Sequence, residues 1–513
     1  MFLKFIFSYS IMNRGFVISI VIMIFLIVSL SFSLNVLGVP DNTTSQHTLH
    51  DPIDIDSNTD LINQALLNSW VGNGSAANPF LIENLLIVDT LEEAILIGSV
   101  SLHVKISNNQ IEKTGAGIII YDSSNIVISN NVITQKENKF MIETIALQNT
   151  SNISIINNII HSLDNDPSIQ ATDTYYFGEG LMVFDSSNIK ILNNQILTST
   201  LAGIRIAGSN DCFIKNNTIA NSVEGIIIHG SINSNVINNS FSNTGLTLYD
   251  PLENIQTYEV EGNLVNDKPL VFFVNVTGDS IPNYSEIGQL ILYNVNDTAF
   301  SNINIHHAFI GVYLQECQNI SFSQGILSNN IQKNIFISDS SNIVIEDLTI
   351  RGSTIHISHT NNTIITRNKL QGNHTNEGIN LRSSYNSIIS KNIINNYTVG
   401  IALSKTVNTS ITDNNLSNMD LGLNIETNQY NHLISRNIFI NVSRISNNLN
   451  DGWLENVRII FADNTVITNE KTVVFDGVTY SLPSSLPISI LLFMAGLLVI
   501  YQRKKRTKNL TNE

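Results

Sequence analysis

The stretch IKNNTIANSVEGIIIHGSINSNVINNSF, residues 214–241, decides the fold. It contains the phrase apolar-x-Asn-Asn-x-apolar twice, with a step of 22 residues from Asn217 to Asn239, and the phrase Gly-Ile-x-Ile between the two copies. Each phrase alternates apolar residues with others over a few positions, which is typical of short strands and too brief for helices. The repeat therefore predicts a coil of three short strands that cannot bury its apolar face alone.

Both phrases recur along the middle of the chain. The asparagine phrase returns at residues 106–111, 128–133, 156–159 and 192–196, and close variants of it, with Arg or Asp before the Asn, occur at 365–370, 411–416 and 434–439. The glycine phrase returns at residues 117–120, 203–206, 378–381, 400–403 and 422–425. Because stacked coils bury one continuous core, the pattern predicts an all-β protein, a right-handed parallel β-helix built as a solenoid of coils of about 22 residues.

Strand alternation assigns a direction to each side chain. It places Ile118, Ile120 and Ile226 inward, and Ile119 and Ile227 outward, so we expect a charge to be tolerated at Ile227 and not at Ile226. The asparagine pairs have a mechanical explanation, since Asn tolerates the left-handed conformation that corners between strands require. Their amides can also hydrogen-bond from coil to coil. We expect these residues to be structural.

The composition excludes several classes of protein. Only 13% of the 513 residues are charged, about half the usual share, and Asn, Ser and Thr supply most of the polarity. The 42 acidic and 26 basic residues give a net charge of -16, whereas phosphate backbones require Lys and Arg, so no nucleic acid is expected as a partner. The two cysteines, Cys212 and Cys317, form no disulfide framework and no zinc spacing. No cofactor is expected.

The two ends of the chain predict export and membrane attachment. Lys4 and Arg14 precede an apolar run over residues 16–34, which resembles a secretory signal with cleavage near Gly38. The run is also long enough to remain as an uncleaved anchor. Residues 482–501 are mostly apolar and are followed at once by a basic cluster at 503–506, which predicts a transmembrane helix with a cytoplasmic tail. The region between the two ends is then extracellular.

These features divide the chain into segments. The repeat is interrupted once, near Asn266-Asp267-Lys268-Pro269-Leu270. Turn-rich or closing segments at the two ends of the coils are expected to cover open sheet ends. The predicted segments are 1–38 signal peptide or signal anchor, 39–69 linker, 70–100 cap and first coil, 101–249 coils, 250–297 insertion or wide coil, 298–446 coils, 447–481 cap and hinge, 482–501 transmembrane helix and 502–513 cytoplasmic basic tail.

An exported chain with Asn-x-Ser/Thr sequons is a candidate glycoprotein. Many sequons arise by chance in a chain so rich in these residues, so they support the placement only weakly. The glycosylation candidates are Asn42, Asn149, Asn275, Asn283, Asn373 and Asn441.

The alternation of the two phrases is similar to the parallel β-helix repeats of the NosD-like and carbohydrate-binding/sugar-hydrolase group. The stretch from Gly72 to Asn84 and the break at residues 266–270 look like features of archaeal cell-surface members. The resemblance covers most of residues 70–446. It implies the fold, and it leaves the activity open because this fold hosts lyases, hydrolases, copper-loading factors and structural surface proteins.

One outward column is a candidate ligand-binding site. The third residue of the glycine phrase, or its equivalent, in successive coils is Tyr313, Phe336, His356 and Asn380. Flat rings on a rigid sheet suit the faces of sugars or a protein partner. The alternative is that the rings lie beneath the inserted segment or a neighbouring loop.

A catalytic pair is a weaker alternative. Glu316 and Asp339 occupy equivalent positions one coil apart, hence about 5 Å apart, which is the separation of carboxylates in retaining glycosidases. However, the Asp-Ser-Ser-Asn corner that begins at Asp339 also occurs at residues 122–125 and 185–188. A residue that recurs at corners is expected to make a turn.

A copper site is the remaining possibility that the resemblance raises. Copper needs convergent His, Met or Cys ligands, whereas the adjacent His306 and His307 are expected to point to opposite faces of a strand, as are His356 and His359. No metal ligands are assigned, and these histidines are expected to be solvated.

The sequence therefore predicts a membrane-anchored cell-surface β-helix protein without catalytic activity, which binds carbohydrate or partner proteins or serves as a structural element of the envelope. The first alternative is a polysaccharide-cleaving enzyme of the glycoside hydrolase or lyase type. The second is a NosD-like copper-handling accessory factor.

Overall fold

The computed structural model describes residues 47–90, 92–135, 143–162, 178–278, 286–426, 431–446, 459–467, 472–475 and 478–480. The chain divides into two units, residues 1–47 and 48–513, and only His47 of the first unit is described. The predicted signal segment, transmembrane helix and basic tail lie outside the described residues. Across the described part of the chain, no helix has the length and apolar character needed to cross a membrane.

The second unit is a parallel β-solenoid of about 15 turns, as the repeat predicts. Three sheets run along it, and we name each by its place in the repeat. The pre-asparagine sheet precedes the Asn pair, the post-asparagine sheet follows it, and the glycine sheet carries the phrase Gly-Ile-x-Ile.

The strands divide among the sheets as follows. The pre-asparagine sheet contains Phe80–Glu83, Val104–Ser107, Ser124–Ser129, Ser151–Ile156, Ser187–Leu192, Phe213–Lys215, Asn235–Ile237, Glu259–Glu261, Ile364–Thr366, Ile388–Ser390, Ser410–Thr412, His432–Ser435 and Ile459–Ala462. The post-asparagine sheet contains Thr48–Leu49, Leu85–Val88, Gln110–Thr114, Val132–Gln135, Ile159–His161, Thr218–Ala220, Ser240–Ser242, Leu264–Val265, Lys369–Gln371, Ile393–Asn395 and Asn464–Ile467. The glycine sheet contains Ile53–Ile55, Glu93–Gly98, Ala116–Tyr121, Ile145–Gln148, Leu181–Phe184, Ser222–His229, Leu246–Leu248, Lys268–Val274, Gln289–Tyr293, Ile310–Gln315, Lys333–Ser338, Thr354–Ser358, Glu377–Arg382 and Val399–Ser404. Strands that run through a corner into the next sheet are Gln195–Ala207, Asn296–His306, Gln318–Ser328, Ser341–Arg351, Asn415–Ile425 and Ile438–Ser446, and two antiparallel strands, Thr472–Phe475 and Val478–Tyr480, pair with the last coil.

A ten-residue helix, α1 (Asn58–Leu67), lies at the first coil. The Ser57 hydroxyl accepts a hydrogen bond from the backbone N–H of Asp60 and so caps the helix. Leu61 and Ala65 are buried against the core. A second helix, α2 (Leu252–Ile255), is a single turn.

The solenoid begins earlier than the sequence predicts. Residues 48–67 fall in the expected linker, yet Thr48 pairs with Leu85 and Ile53 pairs with Ile95 in parallel register. The alternation that builds these strands spans only three residues, Ile53–Ile55, which is too short to distinguish from chance in the sequence.

The Asn pairs form the corners and a buried ladder. The first residue of each pair adopts the left-handed conformation, with φ of 56° at Asn216 and 54° at Asn238. The second is buried, and the amide of Asn217 donates to Asn239 Oδ1 and to the carbonyl of Ile191, both at 2.9 Å. The ladder joins Asn109, Asn131, Asn158, Asn194, Asn217, Asn239 and Asn263, and again Asn368, Asn392, Asn414, Asn437 and Asn464.

The break in the repeat is a seam between two stacks of coils. Asn266 and Asp267 have φ of 51° and 63°, the values of a type I′ turn, and they fold Leu264–Val265 back antiparallel to Lys268–Val274. Among the described residues, the strand Leu246–Leu248 has no backbone pairing with a glycine-sheet strand beyond the turn. We call the coils up to residue 265 the first stack and those from residue 268 the second stack.

Side chains close this seam. Gln289 Nε2 donates to Leu246 O at 2.9 Å, Leu246 N–H donates to Gln289 Oε1 at 3.0 Å, and the Tyr293 hydroxyl donates to Leu248 O at 2.8 Å. Both Gln289 and Tyr293 are buried. Backbone groups that would otherwise lack partners are thereby satisfied.

Ile227 is buried, although strand alternation predicts an exposed position for it. Ile227 points outward by alternation, but it is only 1% exposed. Its neighbour in the next coil, Thr247, is also buried although it too points outward. Packing at the end of the first stack therefore covers both faces of this strand, and Ile227 is a core residue.

Candidate functional site

The four residues predicted to bind a ligand lie side by side on the outer face of the glycine sheet. Backbone pairing places Tyr313 beside Phe336, Phe336 beside His356, and His356 beside Asn380. Tyr313 is 9% exposed, and the other three are half-buried. Solvent therefore reaches this column from Phe336 onward.

The rings of the column stack on one another. The ring centroids of Tyr313 and Phe336 are 5.2 Å apart with planes inclined by 15°, and those of Phe336 and His356 are 5.3 Å apart with planes inclined by 6°. Because the rings cover one another's faces, their edges point away from the sheet. A ligand on this surface would meet ring edges and imidazole nitrogens, not the broad ring faces that the sequence suggests.

Charged groups surround the exposed end of the column. Burial, together with the neighbouring Lys333 and Arg382, lowers the pKa of His356 to about 4, so its imidazole is neutral at pH 7. Within the described part of the chain this ring accepts and donates no hydrogen bond. Burial also lowers the pKa of Lys333, an effect that Glu377 opposes. The Asn380 amide donates to the Glu377 carboxylate, so hydrogen-bonding groups converge around a neutral His356.

The other end of the column is covered by the seam. The ring of Tyr313 lies 5.4 Å from that of Tyr293, which is fully buried. Burial raises the pKa of the Tyr313 hydroxyl, which donates to Gln315 Oε1 at 2.9 Å. Tyr313 thus packs as part of the core.

Glu316 and Asp339 occupy equivalent corners one coil apart. Both are exposed, both have the left-handed conformation, with φ of 56° and 49°, and Glu316 N–H donates to Ser338 O at 3.2 Å. The corner residues Asp122 and Asp185 have φ of 47° and 46°. The turn therefore accounts for the position of both carboxylates.

His306 and His307 lie closer together than strand alternation suggests. Their Nδ1 atoms are 3.1 Å apart, because His307 occupies a left-handed corner with φ of 55° and leaves the strand. Burial lowers the pKa of His306, with further contributions from Lys268 and His307. However, no group of three potential metal ligands occurs among the described residues. Two imidazoles fall short of the ligand sets that hold copper in proteins, so these residues do not fit a complete copper site.

A carboxylate cluster on the glycine sheet was missed by the sequence reasoning. Glu179 is fully buried, and its Oε1 lies 2.6 Å from Arg205 Nε. Burial raises the pKa values of Glu143 and Glu224, and the Tyr249 hydroxyl contacts Glu224 Oε2 at 3.4 Å. The available signal was the Glu that directly precedes the glycine phrase at residues 179 and 224.

Charge is divided unevenly between the stacks. Residues 48–262 contain 23 acidic and seven basic residues, whereas residues 263–446 contain 12 and ten. The first stack is therefore strongly acidic, and the second is close to neutral. An anionic ligand would meet less repulsion on the second stack.

Four of the six sequon asparagines are described, and all four are exposed. Asn149 and Asn441 donate their side-chain amides to neighbouring corner residues. Among the described residues, the side chains of Asn275 and Asn373 accept hydrogen bonds through Oδ1 and donate none. Asn42 and Asn283 lie outside the described residues.

Two family models match the solenoid. One, described as a right handed beta helix region, matches residues 93–265, and the other, described as periplasmic copper-binding protein (NosD), matches residues 272–458. The two matches meet at the seam. Together with the parallel coils they define the class: the chain is a right-handed parallel β-helix repeat protein. Within that class, residues 272–458 are similar to NosD.

Solved structures match the chain only at low identity and low TM-score. The A-module of a mannuronan C-5 epimerase from Azotobacter vinelandii is 11% identical with a TM-score of 0.26, covering 74% of this chain and 90% of that one. PfbA, a surface adhesin of Streptococcus pneumoniae, is 13% identical with a TM-score of 0.25, covering 77% and 92%. An exopolygalacturonase from Thermotoga maritima is 10% identical with a TM-score of 0.22, covering 74% and 87%. These likenesses carry no information on activity. Among curated proteins, none matches the chain.

Proposed function

We propose that this chain is a membrane-anchored cell-surface β-helix that binds glycans without cleaving them, through the outer face of the glycine sheet in the second stack. The observation that carries the proposal is the column itself, in which Phe336, His356 and Asn380 lie in register and half-buried on a rigid sheet.

The chemistry of the column fits sugar hydroxyls. Neutral His356 offers one nitrogen as a donor and the other as an acceptor, and Asn380 with Glu377 adds an amide and a carboxylate beside it. Phe336 contributes an apolar ring edge beside His356 in the neighbouring coil. Binding pockets for small ligands combine an apolar base with a few fixed polar groups in the same way.

A glycan array with the purified full chain tests this function. We expect the wild type to bind a defined set of glycans, and His356→Ala with Asn380→Ala to lose that binding while the melting temperature stays within a few degrees. The matched control is Asn304→Ala, an exposed strand residue remote from the column. Unchanged binding by the double variant would remove the column as the site.

Membrane anchorage rests on the apolar segment at residues 482–501 and the basic cluster that follows it. Protease added to intact cells with a permeable envelope should digest the solenoid and spare the tail. A solenoid that survives this treatment would contradict the proposed orientation. Within the solenoid, Asn275 and Asn373 are the preferred glycosylation positions, since their Nδ2 atoms make no hydrogen bond with the described residues.

The polysaccharide-cleaving alternative would draw on different residues from the corner pair Glu316 and Asp339. A general acid needs a carboxyl with a raised pKa, and burial provides this at Glu143 and Glu224. Turnover assays on every glycan that binds would separate the two functions. If the wild type cleaves a glycan and Glu224→Gln does not, the chain is an enzyme and the proposal of binding without cleavage is wrong.

Copper handling, the second alternative, would depend on the facing nitrogens of His306 and His307. Titration of the full chain with Cu(II) under competition from a chelator tests it. Loss of stoichiometric binding in His306→Ala and His307→Ala would support the alternative, whereas no binding by the wild type would exclude these residues.

A further inference from the structure

A groove on a different face of the second stack has the features of a ligand site. It lies on the outer face of the post-asparagine sheet, has a volume of about 480 Å³, and crosses four successive coils at residues 349–351, 369–371, 393–395 and 417–418. This volume is within the range of small-ligand sites in proteins. The groove shares no residue with the ring column.

Two cations line one end of the groove. Arg351 and Lys369 come from neighbouring coils, and neither forms a salt bridge with another described residue. By contrast, the corner residue Arg367 contacts Glu346 and Asp347, and Arg436 contacts Asp413 at 2.7 Å.

The groove cations and the corner arginines differ in how many of their hydrogen-bond donors remain free for a ligand. The corner arginines already neutralise carboxylates of the chain. Arg351 and Lys369 keep all their donors for another partner, and an Arg beside a Lys is a favourable arrangement for a carboxylate, since the guanidinium can bind it in a bidentate manner.

A fixed set of amides forms the other end. Asn395 Nδ2 donates to Gln371 Oε1 at 2.7 Å, and Asn395 Oδ1 accepts from Ser417 Oγ at 3.0 Å and from Asn418 Nδ2 at 2.8 Å. These bonds hold the amide planes before any ligand arrives. Polar groups fixed in this way bind hydroxyls with a smaller entropy cost than mobile ones.

The groove also contains an apolar side chain, which lies in the same strand as Asn395. Ile393 is 46% exposed, although a side chain of this type is usually buried. It stands in register with Lys369 in the preceding coil. A ligand that fits must therefore present an anionic group, an apolar face and several hydroxyls within one compact unit.

A uronic acid residue has these three features: a carboxylate, a C–H face and ring hydroxyls. We propose that the groove binds a uronate residue of an acidic glycan, with its carboxylate on Arg351 and Lys369, its C–H face on Ile393, and its hydroxyls on Gln371, Asn395 and Asn418. This site goes beyond the glycan-binding column and does not depend on it.

Calorimetry with the full chain and tetragalacturonate tests the proposal. We expect saturable binding that weakens as salt is added, and at least a tenfold loss of affinity in the double variant Arg351→Gln, Lys369→Gln. The double variant Lys405→Gln, Arg444→Gln removes the same charge from exposed positions outside the groove and should bind as the wild type does. Thermal unfolding shows that both variants remain folded.

Two further ligands sharpen the result. Methyl-esterified tetragalacturonate has the same shape without the charge and should bind at least tenfold more weakly, and sodium sulfate at equal ionic strength should compete no better than chloride. Equal affinity for the ester, equal affinity of the two double variants, or no binding to the wild type would each overturn the proposal. Because His356→Ala leaves the groove intact, failure of the column and failure of the groove give different results.

Discussion

The side chain of Gln289 takes the place of a β-strand beside Leu246. Its Oε1 accepts from the Leu246 N–H at 3.0 Å and its Nε2 donates to the Leu246 carbonyl at 2.9 Å, so one amide mimics the pair of bonds that a neighbouring strand would make. Gln289 also donates to Ile310 O at 2.9 Å. One residue thus links the last glycine-sheet strand of the first stack to two coils of the second.

Replacement of Gln289 should be costly for this reason. Gln289→Ala leaves the N–H and carbonyl of Leu246 buried without partners, and we expect a loss of about 3 kcal/mol in the free energy of unfolding. Chemical denaturation of the full chain measures it. Gln318→Ala, at an exposed strand position, should change stability by less than about 0.5 kcal/mol. Equal effects of the two changes would mean that the seam is not held by Gln289.

Replacement of an asparagine in the buried ladder should also lower stability. Asn217 donates two hydrogen bonds and accepts two from Asn194, so Asn217→Ala removes four buried bonds at once. We expect a loss of about 3 kcal/mol or more, measured by denaturant unfolding. Asn304→Ala, on an exposed strand position, is the control. If Asn217→Ala leaves the free energy of unfolding unchanged, the ladder hydrogen bonds do not stabilise the solenoid.

Burial of Ile227 reverses an expectation from alternation. Because Ile227 is as buried as Ile226, an aspartate at either position should destabilise the chain by several kcal/mol. Ile388, which is 41% exposed on the pre-asparagine sheet, provides the contrast, and Ile388→Asp should be nearly silent. The melting temperatures of the three variants test this prediction. If Ile227→Asp melts at the same temperature as the wild type, Ile227 is not buried in the folded chain.

Tyr313 and His356 should differ although both belong to the ring column. Tyr313→Ala removes a buried ring and should cost about 3 kcal/mol, whereas His356→Ala removes a half-buried one and should cost much less. Differential scanning calorimetry of the single variants measures both. If the two replacements lower the melting temperature equally, the seam does not cover Tyr313.

His432 makes stability depend on pH. It is 1% exposed, its Nδ1 accepts from the Thr409 N–H at 3.2 Å, and burial lowers its pKa to about 4 from an ordinary value of 6.5. Between these two values the unfolded chain binds the proton and the folded chain does not, so stability should fall as the pH falls from about 6.5 to 4. The loss at His432 is on the order of 3 kcal/mol.

The variant His432→Asn isolates this effect. Its unfolding free energy should depend less on pH than that of the wild type over this window, since an amide does not titrate. His356 contributes a similar but weaker dependence because it is half-buried, and it is unchanged in the comparison. Parallel pH profiles for the two proteins would show that the pKa of His432 is the same in the folded and unfolded chain.

The coils were predictable because they rest on local chemistry. Each strand needs alternation and each corner needs a residue that tolerates positive φ, and both requirements appear within a few positions, as at Asn216 and Asn217. The outward column of Tyr313, Phe336 and His356 followed from the same period.

Features that depend on contacts between distant coils were not predictable. The burial of Tyr313 depends on its contact with Tyr293 at the seam, and neither Tyr293 nor Gln289 belongs to a repeated phrase. The burial of Ile227 likewise departs from the alternation that the repeat shows. The approach of His306 and His307 required knowledge that His307 turns the corner. The cluster around Glu179 was hidden because 36 residues separate Asn158 from Asn194, so the coil that contains it does not show the usual period.

The seam also determines how the protein would respond to mechanical force. Within each stack, pulling along the axis loads three parallel strand pairings in every coil, and these must break together. At the seam the glycine-sheet load passes through the amide of Gln289 and the hydroxyl of Tyr293. Extension of a single molecule should therefore separate the two stacks at low force, before either uncoils, and the solenoid would behave as two stiff segments joined by one yielding joint.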